Sequence, residues 1–148
     1  MSQPTKAEWD QVAKDLDSFW KPVFFLCDGF YVRYSMVRWK NKLIIDVYVN
    51  GYMKGSWYGM NDEMSEEARR FWRPSVRAKY KPKELKFWEK LHGKRECKKR
   101  GMYDKIIYPF PCWNKPAPLI RHLIKHNKDI QIIDSKTHEE AVSRMNHE

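Results

Sequence analysis

Turn signals at regular intervals divide residues 23–58 into short segments. Asp28-Gly29 and Asn50-Gly51 are two-residue hairpin signals, and a Lys-Asn-Lys turn separates the middle segments at 40–42. The flanking runs are apolar and β-branched and alternate with polar residues, which is typical of strands with one buried face. This spacing predicts an antiparallel four-stranded meander over about 23–58.

Pairing through these turns puts a consistent apolar set on one face of the meander. The set is Val23, Phe25, Cys27, Phe30, Val32, Tyr34, Met36, Leu43, Ile45, Val47 and Val49. A slip of one residue would scatter this set over both faces, so the agreement supports the register. We expect this face to form the core, with a helix over about 6–19 as one cover. A capping-box pattern of Thr5 and Glu8 marks the start of that helix.

The opposite face of the predicted sheet is mixed, and two interpretations compete. If a second helical layer covers it, Trp39 and Trp57 are core residues. If it is partly open, Tyr31, Arg33, Tyr48 and Trp57 form a stacking platform like those of sheet-based RNA-binding proteins. The helices predicted downstream need a surface to pack on, which favours burial.

The second half of the sequence predicts helices joined by loops. Asn61 or Asp62 can cap a helix that runs to about Trp72, and Pro82 begins a helix that ends before Gly93. We expect a loop at 75–80 and, because its residues are too polar to bury, a helix extension or mobile loop at 94–101.

The remaining residues predict an extended connector, a helix, a strand and a last helix. Four prolines indicate the connector at 106–118, and Pro118 begins the helix. The strand covers 130–133, and Ser135 or Thr137 caps the last helix. The predicted fold class is α+β, in one domain over 1–148, with a subdivision near residue 60 as the alternative.

Positive charge is concentrated in one segment of this chain. The formal net charge of the whole sequence is +10, whereas residues 69–105 contain 15 Lys and Arg against four acidic residues, a net +11. Aromatic residues are interleaved with these cations at Phe71, Trp72, Tyr80, Phe87, Trp88 and Tyr103. Because Lys and Arg neutralise phosphates and aromatic rings stack on bases, this pattern predicts contact with DNA or RNA.

Two groups of side chains in this segment are the predicted contacts. Arginines between 69 and 77 suit phosphate clamps because a guanidinium group binds two oxygens at once. The cluster at 94–100 is expected to be mobile and to contact the nucleic-acid backbone. The full predicted set is Arg69, Arg70, Arg73, Arg77, Lys79, Tyr80, Lys81, Lys94, Arg95, Lys98, Lys99 and Arg100. Trp88, near Leu85 and Leu91, is expected in a packed helix face instead.

Catalytic and metal-binding signals are weaker. His122 and His126 share a face of a predicted helix, but Cys97 and Cys112 are too far apart in sequence for a usual zinc site. Glu84-Leu85-Lys86 with Asp46 matches a fragment of restriction-type nucleases, a minor alternative that needs two carboxylates on Mg²⁺. We therefore expect a non-enzymatic protein with no cofactor and no metal.

Cysteine usage and apolar runs bear on the compartment. The longest apolar runs, VFFLC and LII, are far too short to span a bilayer, and the first residues lack a signal-peptide pattern. Three widely spaced cysteines without a CxxC pair suit a reducing compartment. We therefore expect a cytoplasmic protein.

Several runs within about residues 27–134 resemble small proteins that bacteriophages and prophages encode. These runs are CDGFYVRYS, IIDVYVNGYMKGSW, FWRPSVRAKYKPKE, CKKRGMYDKIIYPFPCW and LIRHLIKHN. The resemblance implies a non-enzymatic protein in the host cytoplasm that binds host machinery, as anti-CRISPR and other anti-defence inhibitors do. Since this chain is basic, the implied target is guide RNA, target DNA or an acidic protein surface. An inhibitor of a host protein or nucleoprotein complex is therefore the alternative function.

Overall fold

The structure is a computed structural model that describes residues 3–59 and 61–146, with the backbone alone for residue 62. Within these residues the helices are α1 (Lys6–Leu16), α2 (Glu66–Phe71), α3 (Pro82–His92), α4 (Lys94–Lys99), α5 (Pro116–His126) and α6 (Ser135–Asn146). The strands are β1 (Val23–Cys27), β2 (Phe30–Trp39), β3 (Lys42–Val49), β4 (Arg73–Ala78), β5 (Lys105–Phe110), β6 (Cys112–Trp113) and β7 (Ile130–Ile133). An antiparallel sheet has the strand order β6-β3-β2-β1-β7, and β4 pairs with β5 in a separate ribbon. The α+β prediction is confirmed.

Two-residue turns set the register of β1, β2 and β3. Asp28 and Gly29 have φ angles of 47° and 91°, and Lys40 and Asn41 have 46° and 63°. Positive φ at both central residues is the type I′ geometry, whose twist matches that of paired strands. These turns therefore fix which face of each strand is buried.

The predicted apolar face is the core. Its fully or nearly buried members are Val23, Phe25, Cys27, Val32, Tyr34, Ile45, Val47 and Val49. Helices α1, α2 and α5 cover this face with Val12, Leu16, Phe71, Leu119 and Leu123. Leu43, at the far end of the face, is 48% exposed. Residues from both sides of position 60 thus share one hydrophobic cluster.

Helix α1 begins as predicted but ends earlier. The Thr5 hydroxyl accepts a hydrogen bond from the Glu8 amide, and the Glu8 carboxylate accepts one from the Thr5 amide. The helix ends at Leu16 rather than at Phe19, which is 43% exposed. The chain then passes through Trp20 in a left-handed conformation (φ 66°) before Pro22.

The meander has three strands, and the predicted fourth strand is wrong. After the Asn50-Gly51 turn the chain makes one bridge, between Val49 and Tyr52, and then a turn of 3-10 helix at Gly55–Trp57. The free edge of β3 is paired instead with β6, and that of β1 with β7. Strands from the second half of the chain therefore complete the sheet.

Helix α6 covers part of the opposite, mixed face. His138 is buried, and its ring centroid lies 4.7 Å from that of Phe24 and 6.4 Å from that of Tyr31. Trp57 is buried, but on the core side, 5.7 Å from the Trp72 ring. The predicted burial of Trp39 is wrong, because this residue adjoins the β2–β3 turn and is 53% exposed.

Helix starts in the second half differ from prediction at three points. Ser65 caps α2 by accepting from the Ala68 amide, whereas the Asn61 side chain accepts from the Ile107 amide. Helix α5 begins at Pro116, and Asp134 caps α6 by accepting from the Thr137 amide at 2.7 Å. Helix α3 and strand β7 agree with prediction.

Two segments predicted as a loop and a connector have regular structure, and the segment predicted as a helix extension or a mobile loop is helical. Residues 75–80 largely belong to β4, residues 106–118 contain β5, β6 and the start of α5, and residues 94–101 contain α4. Cys97 of α4 is fully buried, which anchors a segment that appeared too polar to pack. The β4–β5 pairing joins segments about 30 residues apart in sequence, beyond the reach of local pattern analysis.

Candidate nucleic-acid interface

Strands β4 and β5 with helices α3 and α4 form a basic module, residues 73–110. The module contains 13 Lys and Arg residues and four Asp and Glu residues, so its formal charge is strongly positive. All residues of α3 are described and none of them is buried, while α4 buries Cys97 alone. The two helices pack on each other. Most of the cationic side chains of the module are exposed to solvent.

Three of the four carboxylates of the basic module have partners inside it. Glu84 accepts from the Lys81 amide, Glu89 from the Tyr103 hydroxyl at 2.7 Å, and Glu96 from Arg100 Nε at 3.1 Å. The hydrogen bond to Glu89 raises the pKa of Tyr103 to about 12.

Most cations of the basic module have no carboxylate partner. Within the module, every residue of which is described, Arg100 is the one cation within 4.0 Å of a carboxylate oxygen. Twelve of the 13 cations therefore lack an ion pair within the described part of the chain.

One face of the β4–β5 ribbon pairs two arginines with an aromatic ring. The guanidinium carbons of Arg73 and Arg77 lie 5.1 and 5.6 Å from the ring centroid of Phe110. Arg73 Nε also donates to the Cys112 carbonyl oxygen at 3.3 Å. Because both guanidinium groups are held near one ring, their positions suit neighbouring phosphates along a strand.

Arg70, unlike the other predicted clamps, is held by two carboxylates, which lie close to its guanidinium nitrogens. Its Nη1 lies 2.8 Å from Asp28 Oδ2, its Nη2 lies 2.8 Å from Glu66 Oε1, and its side chain is 18% exposed. Its guanidinium carbon also lies 5.4 Å from the Phe30 ring centroid. Arg69, one position earlier, has a 59% exposed side chain and a single carboxylate, Glu66, at 3.9 Å.

The other predicted contact residues lie along the module. Those on the surface are Arg77, Lys79, Lys81, Lys94, Arg95, Lys98, Lys99 and Arg100. Tyr80 is partly buried, and Lys79 Nζ lies 6.0 Å from the Tyr80 ring centroid. The 94–100 cluster is helical through Lys99, which is the helical one of its two predicted forms, and Gly93 separates it from α3.

The apolar stripe of α3 is not packed in the core, contrary to prediction. Phe87 and Leu91 are each 60% exposed. Trp88 is partly buried and stacks on His92, with ring centroids 5.6 Å apart and planes 5° from parallel. Leu85 is also partly buried, so the predicted stripe is divided between a partly covered side and an exposed side of the helix.

A cleft of about 900 Å³ lies where the ribbon meets α2 and α5, and sequence reasoning did not find it. Its apolar lining is Met64, Ala68, Trp72, Pro74, Val76, Ile107 and Pro109, and its polar lining is Asn61, Glu66, Arg69, His122, Lys125 and His126. Val76 and Ile107 are directly paired in the ribbon and are 60% and 37% exposed. The cleft thus combines bare apolar side chains with a polar rim that contains two cations, Arg69 and Lys125, and the Glu66 carboxylate.

Two histidines of the cleft lie in contact. The ring centroids of His122 and His126 are 4.1 Å apart, and His122 Nε2 lies 2.9 Å from the Arg69 carbonyl oxygen. Since a carbonyl oxygen accepts hydrogen bonds, Nε2 carries the hydrogen. Burial lowers the pKa of His122 from 6.5 to about 4 and also lowers that of His126. The positive charge of the cleft at neutral pH therefore comes from Arg69 and Lys125.

The residues of the zinc and nuclease alternatives lie in different elements. Cys97 is buried in α4, and the described residues contain no group of three or more His, Cys, Asp or Glu placed to hold a metal ion. Glu84 caps α3, whereas Asp46 on β3 accepts from the Ser35 hydroxyl at 2.7 Å.

By its fold the chain is an α+β protein, in which a five-stranded sheet adjoins the basic module of β4, β5, α3 and α4. No protein-family model matches the chain, and neither the curated proteins nor the solved structures contain a match. None of the described helices combines the length and the apolar character needed to cross a membrane.

Proposed function

We propose that this protein binds nucleic acid without catalysis and contacts the phosphate backbone through the basic module. The observation that carries this proposal is the set of 12 cations in residues 73–110 that lack an ion pair within the described chain. A solubilising surface mixes charges of both signs, whereas this module concentrates one sign. A nucleic acid supplies the anions that are missing.

The proposed contact surface retains the residues predicted from the sequence, with Arg70 left out. It comprises Arg69, Arg73, Arg77, Lys79, Tyr80, Lys81, Lys94, Arg95, Lys98, Lys99 and Arg100. Arg70 is omitted because Asp28 and Glu66 already hold its guanidinium group. On α3 and α4, lysines outnumber arginines, which are the side chains that can bind two oxygens at once. This composition favours contact with the nucleic-acid backbone over recognition of bases.

A cytoplasmic location belongs to the same proposal. It is supported by Cys27, Cys97 and Cys112, which are all free thiols.

Binding measured against salt concentration tests the proposal. Affinity for DNA or RNA is expected to fall steeply with salt, because each phosphate contact contributes roughly 0.9 to the logarithmic slope. Lys98→Glu with Lys99→Glu should reduce that slope by about 2 units. Lys6→Glu with Lys136→Glu, exposed helical lysines outside the module, is the matched control. Absence of binding to both nucleic acids at low salt would overturn the proposal.

A second function, inhibition of a host protein or nucleoprotein complex, is favoured by one observation on α3. The exposed Phe87 and Leu91 lie one helical turn apart, and Lys83 and Lys90 are their neighbours on the helix. Such a surface suits an acidic protein with an apolar patch. Capture of partners with and without nuclease treatment separates the two functions. A partner that survives nuclease and is lost in Phe87→Ser with Leu91→Ser supports inhibition.

A further inference from the structure

We infer that the cleft between the ribbon, α2 and α5 holds one unpaired nucleotide of a single strand. Its base lies against the apolar lining, and its phosphate lies at Arg69 and Lys125. The inference rests on the proposed function and names the form of nucleic acid that this protein prefers. It follows from the size, the lining and the location of the cleft.

The size and the lining suit a flat ring. A volume of about 900 Å³ lies within the range of small-molecule sites, which also combine apolar walls with a few polar groups. Val76 and Ile107 present bare branched side chains on the cleft face of the ribbon, and Pro74 and Pro109 pair beside them. Rigid apolar walls of this kind gain contact when a base leaves water.

The polar groups of the cleft suit the other parts of a nucleotide. Lys125 is exposed and forms no ion pair with a described residue, and Arg69 has its nearest carboxylate at 3.9 Å. Both histidines are neutral, so each ring offers one donor and one acceptor. With Nε2 of His122 used on the Arg69 carbonyl, its Nδ1 is left as an acceptor for a base edge.

One buried donor in the cleft lining lacks a partner. Trp72 is 1% exposed, and its Nε1 makes no hydrogen bond to any described residue. An unmet buried donor is costly, and its place beside the cleft agrees with a ligand that brings acceptors.

The location joins the cleft to the proposed phosphate contacts. Strand β4 carries Arg73 and Arg77 on one face and Pro74 and Val76 on the other. A single strand that crosses this ribbon can place phosphates on the arginine face and turn one base into the cleft. A base inside a duplex is stacked and paired, so it cannot enter without being unpaired first.

Anisotropy with labelled 12-mers of single-stranded DNA, single-stranded RNA and duplex DNA tests this inference. The wild type should bind a single strand about tenfold more tightly than the duplex, the effect of burying roughly 60 Å² of one base against apolar walls. Ile107→Ser should remove this preference and leave duplex binding unchanged. Leu43→Ser, an exposed apolar strand residue outside the cleft, is the matched control for folding and affinity.

Nuclear magnetic resonance with a nucleoside monophosphate provides a second readout that needs no variant. The ring protons of His122 and His126 should shift on addition of the nucleotide, and those of His138, under α6, should not. Equal binding of single strand and duplex, with unshifted histidines, would overturn the cleft inference alone. Absence of binding to all three 12-mers would overturn the proposed function. Shifts produced by an acidic peptide, but not by the nucleotide, would assign the cleft to a protein partner and overturn the inference.

Discussion

Arg70 donates from Nη1 to Asp28 at 2.8 Å, and this ion pair joins α2 to the turn between β1 and β2. The same carboxylate accepts from the amides of Lys128 and Asp129, both at 2.9 Å. These backbone hydrogen bonds and the Arg70 guanidinium lower the pKa of Asp28. One side chain therefore connects three segments that are distant in sequence.

Arg70→Gln should destabilise the protein and leave the proposed binding to nucleic acid unchanged. The variant removes both ion pairs of Arg70, with Asp28 and with Glu66, so we expect a loss of about 1–3 kcal/mol in the free energy of unfolding. Urea denaturation and salt-titrated binding measure the two effects. Arg77→Gln should do the reverse, lowering affinity while stability stays within about 0.5 kcal/mol. If folded Arg70→Gln bound nucleic acid more weakly than the wild type, Arg70 would have to be counted among the contact residues.

Two side chains converge on the Phe71 carbonyl oxygen, and their removal should not be additive. Trp113 Nε1 donates to it at 2.9 Å and the Tyr34 hydroxyl at 3.2 Å, both in the core. Tyr34→Phe and Trp113→Phe each remove one donor. The double variant should lose about 1 kcal/mol more than the sum, because the carbonyl then lacks both side-chain donors. Additive losses in urea denaturation would show that another donor replaces them.

Gly51 allows α6 to approach the β3 turn. A Cβ at this position would lie 2.6 Å from Cγ1 of Val142, and the φ angle is +85°. Gly51→Ala should therefore destabilise the protein by about 1–3 kcal/mol through backbone strain and overlap. Adding Val142→Ala to the same chain should remove the overlap and so recover that part of the lost stability. The part lost to backbone strain should remain. A double variant as unstable as the sum of the singles would contradict this explanation.

Stability should fall on mild acidification. Burial lowers the pKa of His122 to about 4 and lowers those of His126 and His138 below 6.5. The unfolded chain takes up these protons first, so the stabilisation is complete above about pH 6.5 and is lost as the pH falls towards the folded-state values. Urea denaturation at about pH 7.5 and about pH 5 measures the difference. His138→Phe should reduce it, and an unchanged pH dependence in that variant would remove His138 from the explanation.

Local signals in the sequence were sufficient for elements whose partners are close by. The Asp28-Gly29 turn and the Thr5 capping box depend on neighbouring residues, and both formed as predicted. Strands β5 and β6 were missed because their partners lie far away in the chain, and prolines at 109 and 111 suggested a connector. Pro109 is accommodated in a two-stranded ribbon, where one edge needs no amide donor.

The charge pattern does not distinguish the environments of neighbouring arginines. Arg69 and Arg70 are neighbours in sequence, but successive helix positions differ by about 100° in direction. One therefore faces solvent and the other faces Asp28. The cleft combines residues from α2, the ribbon and α5, so no single stretch of sequence contains its pattern.

The pairing of β1 with β7 has a consequence for synthesis on the ribosome. Cys27 pairs with Ile130, so this edge of β1 stays unpaired until roughly 100 further residues have been synthesised. The ribosome adds about 5–20 residues per second. During those seconds an apolar strand has an unpaired edge, a form prone to association with other nascent chains. Expression at reduced temperature or with a chaperone should therefore raise the soluble yield, and deletion of residues 130–146 should lower it.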